Sequence, residues 1–217
     1  MILIPVKNLA FAKQRLAEVL EQSERTELAQ AMLLDVLDGL QQLRPSHEIA
    51  LVSSDAFAVD QAAARGYEVI ADNANRSETD AIEMATRYCV TRGRGETLVI
   101  PADIPLIQAA AVRAIFDSAP AQGTVLVTAA DARGTNAVLR RPADLFPLRF
   151  GNDSFKPHLA AAQAAQKPCV VLDLPGIALD IDNPSELRQL ASLPGVTRAQ
   201  RLARQWGFAS LPVAANE

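Results

Sequence analysis

Thr97-Leu-Val-Ile-Pro-Ala-Asp-Ile-Pro105 begins as a short apolar run and ends on an aspartate held between two prolines. The first four residues suit a strand buried on both faces, as in the interior of a mostly parallel sheet. Pro101 and Pro105 restrict the backbone on either side of Asp103, so its carboxylate is expected just past the carboxyl end of a central strand, where open α/β sheets bind ligands. Capping of the following helix is the alternative role for that carboxylate.

Outward from this segment, similar runs recur at Met1–Val6, Ile49–Val52, Tyr67–Ala71, Thr124–Ala129, Ala137–Leu139 and Cys169–Leu174, all strand candidates by length and β-branched content. Helical patterns separate many of them. From about Glu24 to Leu43, Leu33, Val36, Leu37, Leu40 and Leu43 follow the spacing of one buried helix face. An Ala-rich stretch from Asp55 to Arg65 ends at Gly66, a left-handed cap. Ser77-Glu-Thr-Asp80 and Asn183-Pro-Ser-Glu186 have the spacing of capping boxes and mark two further helix starts. This alternation predicts a three-layer α/β/α fold with a mostly parallel central sheet and right-handed crossovers. Residues 1–217 read as a single domain, with 195–217 a C-terminal helical appendage and tail whose basic segment Thr197–Phe208 packs on the core or supports a homodimer.

The 217 residues, 49% of them hydrophobic, suffice for a sizeable core, and no apolar run approaches the ~20 residues of a membrane span. With no basic leader before Met1–Val6, the expectation is a soluble, cytoplasmic protein. Cys89 and Cys169 form no Cys-x-x-Cys pair and read as buried thiols rather than a disulfide. A net charge of −4 argues against nucleic acid as a partner and leaves room for a small phosphate ligand. Arg92-Gly-Arg-Gly95 lacks the third glycine of a dinucleotide fingerprint and precedes a strand. A phosphate-cradling Gly-x4-Gly-Lys loop, a Gly-x-Ser-x-Gly elbow and a His-Glu-x-x-His helix are all missing. With His47 and His158 the only histidines, carboxylates and cations must carry the chemistry.

Besides Asp103, Leu179-Asp-Ile-Asp182 reads as the end of a strand before the helix at Asn183. Alternation is expected to turn its two carboxylates apart, so that at most one joins Asp103 around a metal, with Asp182 preferred for standing nearer the end. Turn and cap bonding is an equal alternative there. An oxygen site of this type suits Mg²⁺, which takes one or two carboxylates and completes its shell with phosphates and water. Lys7 follows the first strand at its ligand-facing end, and Lys13 and Arg15 follow closely, although a solvated helix face accounts for the latter two equally well. Arg133-Gly-Thr-Asn136 reads as a hairpin turn. Phe150-Gly-Asn-Asp-Ser-Phe155 reads as a helix entry, with Ser154 as N-cap and Gly151 allowing close backbone approach.

Together, Ile4-Pro-Val-Lys7, Ala12-Lys-Gln-Arg-Leu16, Pro101-Ala-Asp-Ile-Pro105, Gly134-Thr-Asn136, Phe150-Gly-x-x-Ser-Phe155 with His158, and Leu179-Asp-Ile-Asp182-Asn-Pro-Ser-Glu resemble the 2-phospho-L-lactate guanylyltransferase family of coenzyme F-420 biosynthesis. The ordered set runs from Met1 to about Leu190. The resemblance implies a nucleotidyltransferase fold, similar to that of molybdenum-cofactor guanylyltransferases and of nucleotide-diphospho-sugar transferases. It also implies transfer of GMP from GTP to a phosphorylated three-carbon acid, with phosphoenolpyruvate favoured over 2-phospholactate and 3-phosphoglycerate. Carried over, Asp103 and Asp182 hold Mg²⁺, with Asp180 in reserve, and Lys7, Lys13 and Arg15 neutralise the triphosphate. Pro5, Val6, Ser53 and Pro101 would also line the nucleotide site, while Thr135, Asn136, Gly151 and Ser154 bind the acid. One departure stands out: Glu78-Thr-Asp-Ala81 replaces a Gly-Leu-Asn-Ala-like segment and puts Asp80 where the family has an uncharged side chain.

Overall fold

The computed structural model describes residues 1–43, 46–74, 76–151 and 153–209. Seven strands, β1 (Ile2–Pro5), β2 (Ile49–Val52), β3 (Glu68–Ile70), β4 (Thr97–Val99), β5 (Gly123–Thr128), β6 (Thr135–Arg141) and β7 (Cys169–Leu172), form one sheet in the order β3-β2-β1-β4-β6-β5-β7. Only β6 runs against its neighbours, β4 and β5; the other pairs are parallel. Helices α1 (Gln22–Gln41), α2 (Ala56–Ala64), α3 (Glu78–Thr91), α4 (Ala109–Asp117) and α5 (Phe155–Ala164) connect the strands, and α6 (Pro175–Ala178), α7 (Pro184–Ser192) and α8 (Arg198–Gln205) follow them.

The two-sided apolar runs exist because the sheet has a core on each face. Along β1, Ile2 and Ile4 enter the core formed with Leu33, Leu37 and Leu40 of α1 and Val112 and Ile115 of α4. Leu3, pointing the other way, meets Ile82, Ala85 and Cys89 of α3. Each such fully buried aliphatic side chain contributes about 1.5–3 kcal/mol, which fixes register because a one-residue slip would exchange the two cores. A third cluster joins Leu28 and Met32 of α1 to Leu187 and Leu190 of α7 and Ala199 and Ala203 of α8. The basic C-terminal segment is thus a packing helix; the tail beyond residue 209 lies outside the described residues. Both cysteines are free, Cys89 buried and Cys169 half-buried.

Several boundaries differ from expectation for local reasons. α1 starts two residues early, at Gln22, because the Glu24 side chain accepts from the Glu21 amide. At α3 the Ser77 hydroxyl accepts from the Asp80 amide at 3.0 Å and donates to the Asp80 carboxylate at 2.8 Å, so Asp80 is spent on its own cap. The box at Asn183 and Glu186 forms reciprocally. Leu179–Asp182 is no strand. It leaves the short helix α6 without joining the ladder, and its backbone meets the loop after β4 through the Ile181 amide, which donates to the Asp103 carbonyl at 3.2 Å. No described helix is long and apolar enough to cross a membrane.

Candidate active site

β1 stops at Pro5, and the chain then folds back over the carboxyl edge of the sheet in two 3-10 turns, Leu9–Phe11 and Gln14–Leu16. Asp55 anchors this loop by accepting from the Leu9 amide at 3.0 Å, and Asn8 accepts from the Ala10 amide at 2.9 Å. Between the turns, Lys13 takes the left-handed conformation, with φ of 55°, which is costly for a residue bearing a Cβ. Its ammonium lies between two carboxylates, 2.5 Å from Asp103 Oδ2 and 2.8 Å from Asp182 Oδ1. Arg15 adds a contact to Asp182 Oδ2 at 3.4 Å, and Lys7 pairs with the buried Asp72 at 2.6 Å. Burial alone would lower the Lys13 pKa; Asp103 and then Asp182 outweigh it and hold the group above the ordinary lysine value. Lys13 in turn pulls Asp182 below the usual carboxylate range.

A cavity of about 390 Å³ is lined by the apolar Val6, Leu9, Ala29 and Met32 together with the cations Lys7, Lys13 and Arg15. Pro5, Pro101 and Asp103 complete its inner wall. A second cavity, of about 650 Å³, opens on the other side of the acid pair, between the β5–β6 turn, the entry to α5 and Leu179–Asp182. Thr135, Asn136, Gly151 and Ser154 all line it, together with Arg133 and Asp180. The two cavities share Arg15, Glu78, Pro101, Asp103 and Asp182.

The walls of the second cavity are built by internal bonds. Ser154 stands at the N-cap position of α5 but makes no capping bond; its hydroxyl accepts instead from the Thr135 amide at 3.0 Å. The Thr135 hydroxyl meets His158 Nδ1 at 3.0 Å, and His158 Nε2 accepts from the Arg149 amide at 2.9 Å. Since Nε2 must be unprotonated to accept, Nδ1 carries the hydrogen and donates to Thr135. His158 is fully buried, and burial followed by the Arg140 charge pushes its pKa down to about 4. It is therefore a neutral clamp. The Asn136 amide donates to the carbonyls of Ile177 and Ala178 and to Asp180 Oδ1, all between 2.9 and 3.0 Å. Burial, partly offset by this bond and reinforced by Asp103, raises Asp180 to about 6.

Two expectations need correction. Asp180 and Asp182 do not diverge: Leu179 and Ile181 are buried, and both carboxylates face the second cavity, because residues i and i+2 of an extended segment share a side. Ser53 lines neither cavity; it is 1% exposed, and its hydroxyl accepts from the Asp55 amide at 3.0 Å. Two polar residues of these walls, Arg133 and Glu78, and a third beside Lys7, Asp72, were not singled out as site residues from sequence. Asp72 holds Lys7. Arg133, whose guanidinium pairs with Asp131 at 3.0 Å, sits in the quoted turn beside Gly134. Glu78 follows the Ser77 cap and, rather than exposed Asp80, carries the family departure into the site. Burial, and next the charge of Asp103, raises the partly buried Glu78 carboxyl to about 7.

Among the described residues no three His, Cys, Asp or Glu side chains are grouped closely enough to hold a metal by themselves. Asp103 and Asp182 nevertheless fit a hard divalent cation that draws its remaining ligands from substrate and water. Their oxygens already converge on one positive charge, the Lys13 ammonium.

Over residues 1–215 the chain matches the model of the family described as "Guanylyl transferase CofC like". It is 37% identical, over 94% of this chain and 90% of the relative, to a phosphoenolpyruvate guanylyltransferase of Roseiflexus sp. (strain RS-1). Identity is 30%, over 97% of this chain and 92% of the relative, to a 2-phospho-L-lactate guanylyltransferase of Methanothermobacter thermautotrophicus. The fold is similar to that of a crystal structure described as a putative nucleotide-diphospho-sugar transferase from Desulfovibrio desulfuricans, with a TM-score of 0.76 at 20% identity, covering 94% of this chain and 93% of that one. By its whole-length match and by relatives above 30% identity, the chain belongs to the CofC-like guanylyl transferase family and is a nucleotidyltransferase.

Proposed function

We propose that this enzyme transfers GMP from GTP to a phosphorylated three-carbon acid, releasing pyrophosphate, as a step of coenzyme F-420 biosynthesis. Phosphoenolpyruvate is the favoured acceptor, ahead of 2-phospho-L-lactate and 3-phospho-D-glycerate. The observation that carries this reading is the pair of cavities meeting at one wall of Asp103, Asp182 and Arg15. The first, which combines an apolar lining with Lys7, Lys13 and Arg15, suits a nucleotide. The second, lined by polar groups and Arg133, suits a small phospho-acid.

In that arrangement a phosphate oxygen of the acid attacks the α-phosphorus of GTP. The new phosphorus–oxygen bond forms as the bond to the β-phosphate bridging oxygen breaks, and pyrophosphate leaves. No general base is needed, because a phosphate monoester has a second pKa of about 6 and its nucleophile is ionised at neutral pH. Lys7, Lys13 and Arg15 neutralise the triphosphate and the charge that develops on pyrophosphate. Thr135, Asn136, Gly151 and Ser154 shape the acceptor side, the clamp on His158 keeping Thr135 and Ser154 in place. Mg²⁺ on Asp103 and Asp182, with Asp180 in reserve, would supply further charge neutralisation when bound.

Incubation with GTP, Mg²⁺ and each acid in turn, with the guanylated product identified by mass, tests the reading. A product one GMP heavier than the acid, with one pyrophosphate released, is expected for phosphoenolpyruvate. Release of GDP or GMP without an adduct for any of the three acids would overturn it.

A further inference from the structure

Glu78 is the first residue of α3 and belongs to the wall common to both cavities. It is partly buried, and among the described residues its carboxyl has neither a hydrogen-bond nor an ion-pair partner. Its acidic neighbours are all engaged: Asp72 by Lys7, Asp103 and Asp182 by Lys13, Asp180 by Asn136, and Asp80 by Ser77. The capping bond at this helix terminus is made by Ser77, not by Glu78. A carboxylate drawn out of water without a donor is costly, so its place in the wall makes sense when a ligand brings the donor.

The chemistry of the substrates narrows what that donor is. Phosphates and carboxylates only accept, and of the three candidate acids only 3-phosphoglycerate carries a hydroxyl, whereas the favoured phosphoenolpyruvate has none. The nucleotide donates from its base and from its ribose hydroxyls. Glu78 shares its wall with Asp103 and Asp182, where the α-phosphate must stand to face the acceptor, and the ribose is the group joined directly to that phosphate. A carboxylate accepting from ribose hydroxyls is a general mode of nucleotide recognition.

We infer that the Glu78 carboxylate accepts hydrogen bonds from the ribose hydroxyls of the nucleotide and makes the enzyme select ribonucleotides over deoxyribonucleotides. This rests on the proposed placement of GTP in the first cavity. It assigns Glu78 a role in donor specificity that no motif in the sequence indicated.

Calorimetric titration of the wild type, Glu78→Gln and Glu78→Ala with GTP, 2′-deoxy-GTP and 3′-deoxy-GTP, each with Mg²⁺ and no acceptor, tests it. The wild type should bind GTP at least ~10-fold more tightly than one of the deoxy analogues, the usual size of a charge-assisted bond. Glu78→Ala should weaken GTP and bring that ratio close to one. Glu78→Gln, which keeps an acceptor oxygen, should fall between them and serves if the alanine variant melts early. Glu78→Ala retaining the wild-type ratio, or binding all three nucleotides more tightly, would overturn the inference. Absence of GTP binding by the wild type would instead sink the placement of GTP itself, so the two failures are distinguishable.

Discussion

Asp103 receives Lys13 from one side and, through its own carbonyl, the Ile181 amide from another, so one residue ties the loop after β1 to the segment carrying Asp180 and Asp182. The proposed chemistry uses only the carboxylate, and the carbonyl bond survives substitution. Asp103→Asn is therefore expected to abolish pyrophosphate release while leaving the melting temperature within a few degrees of wild type. Release that persists in that variant would remove Asp103 from catalysis. His158 makes the opposite kind of prediction, one of stability. Its folded pKa of about 4 lies below the ordinary value of 6.5, so between those values the unfolded chain binds more protons and stability rises with pH. This contribution, about 3 kcal/mol, is complete above pH 6.5 and lost as pH falls to 4. His158→Gln, which keeps an acceptor, should flatten that part of the denaturation profile while lowering stability at pH 7. An unchanged slope between pH 4 and 6.5 would show that other groups dominate it.

At the scale of elements, one buried carboxylate ties the start of the C-terminal helix to α1. Asp35 of α1 accepts from the Arg198 amide at 3.0 Å and the Ala199 amide at 2.9 Å, capping α8 from across the core. Asp35→Ala leaves two amides at that terminus without their acceptor, and a loss of about 1–3 kcal/mol is expected, with faster amide exchange confined to α8 and its contacts with α7. Uniformly faster exchange would argue against so local a role. This cap was invisible in the sequence because its two halves are 163 residues apart. What was legible were periodicities and adjacent signals: the apolar runs of β1 to β7, the face of α1, the caps at Ser77 and Asn183, and the stiff turn around Asp103. What was misread depended on geometry between elements. Leu179–Asp182 has the composition of a strand end, but α6 before it leaves it without a ladder. Ser53 stands at the end of β2, yet its hydroxyl turns to the Asp55 amide. Glu78 gives no signal of its own in the sequence, because the Ser77–Asp80 spacing already accounts for the segment as a cap, yet it is Glu78 that lines both cavities.

Over the whole molecule, the site lies along one edge of the sheet, and Lys13, in the first cavity, bridges Asp103 and Asp182 of the wall that the two cavities share. With GTP and Mg²⁺ placed as proposed, that bridge would couple the substrates. A divalent cation and the Lys13 ammonium compete for the same carboxylate oxygens, and a single net negative charge remains on the trio for an incoming cation to use. A triphosphate in the first cavity would change the balance by offering Lys13 other anions and supplying phosphate oxygens to the cation. Metal binding without nucleotide should therefore be weak, and GTP should strengthen it at least ~10-fold, with reciprocal strengthening of GTP binding by the metal. Mn²⁺ titration followed by electron paramagnetic resonance, with and without GTP, measures this directly. Lys13→Met should bind Mn²⁺ more tightly than wild type in the absence of nucleotide, because both carboxylates are released, and should gain much less from GTP. Equal Mn²⁺ affinity in the two proteins without nucleotide would mean that the ammonium does not guard the cation position, and that the coupling between the cavities has another origin.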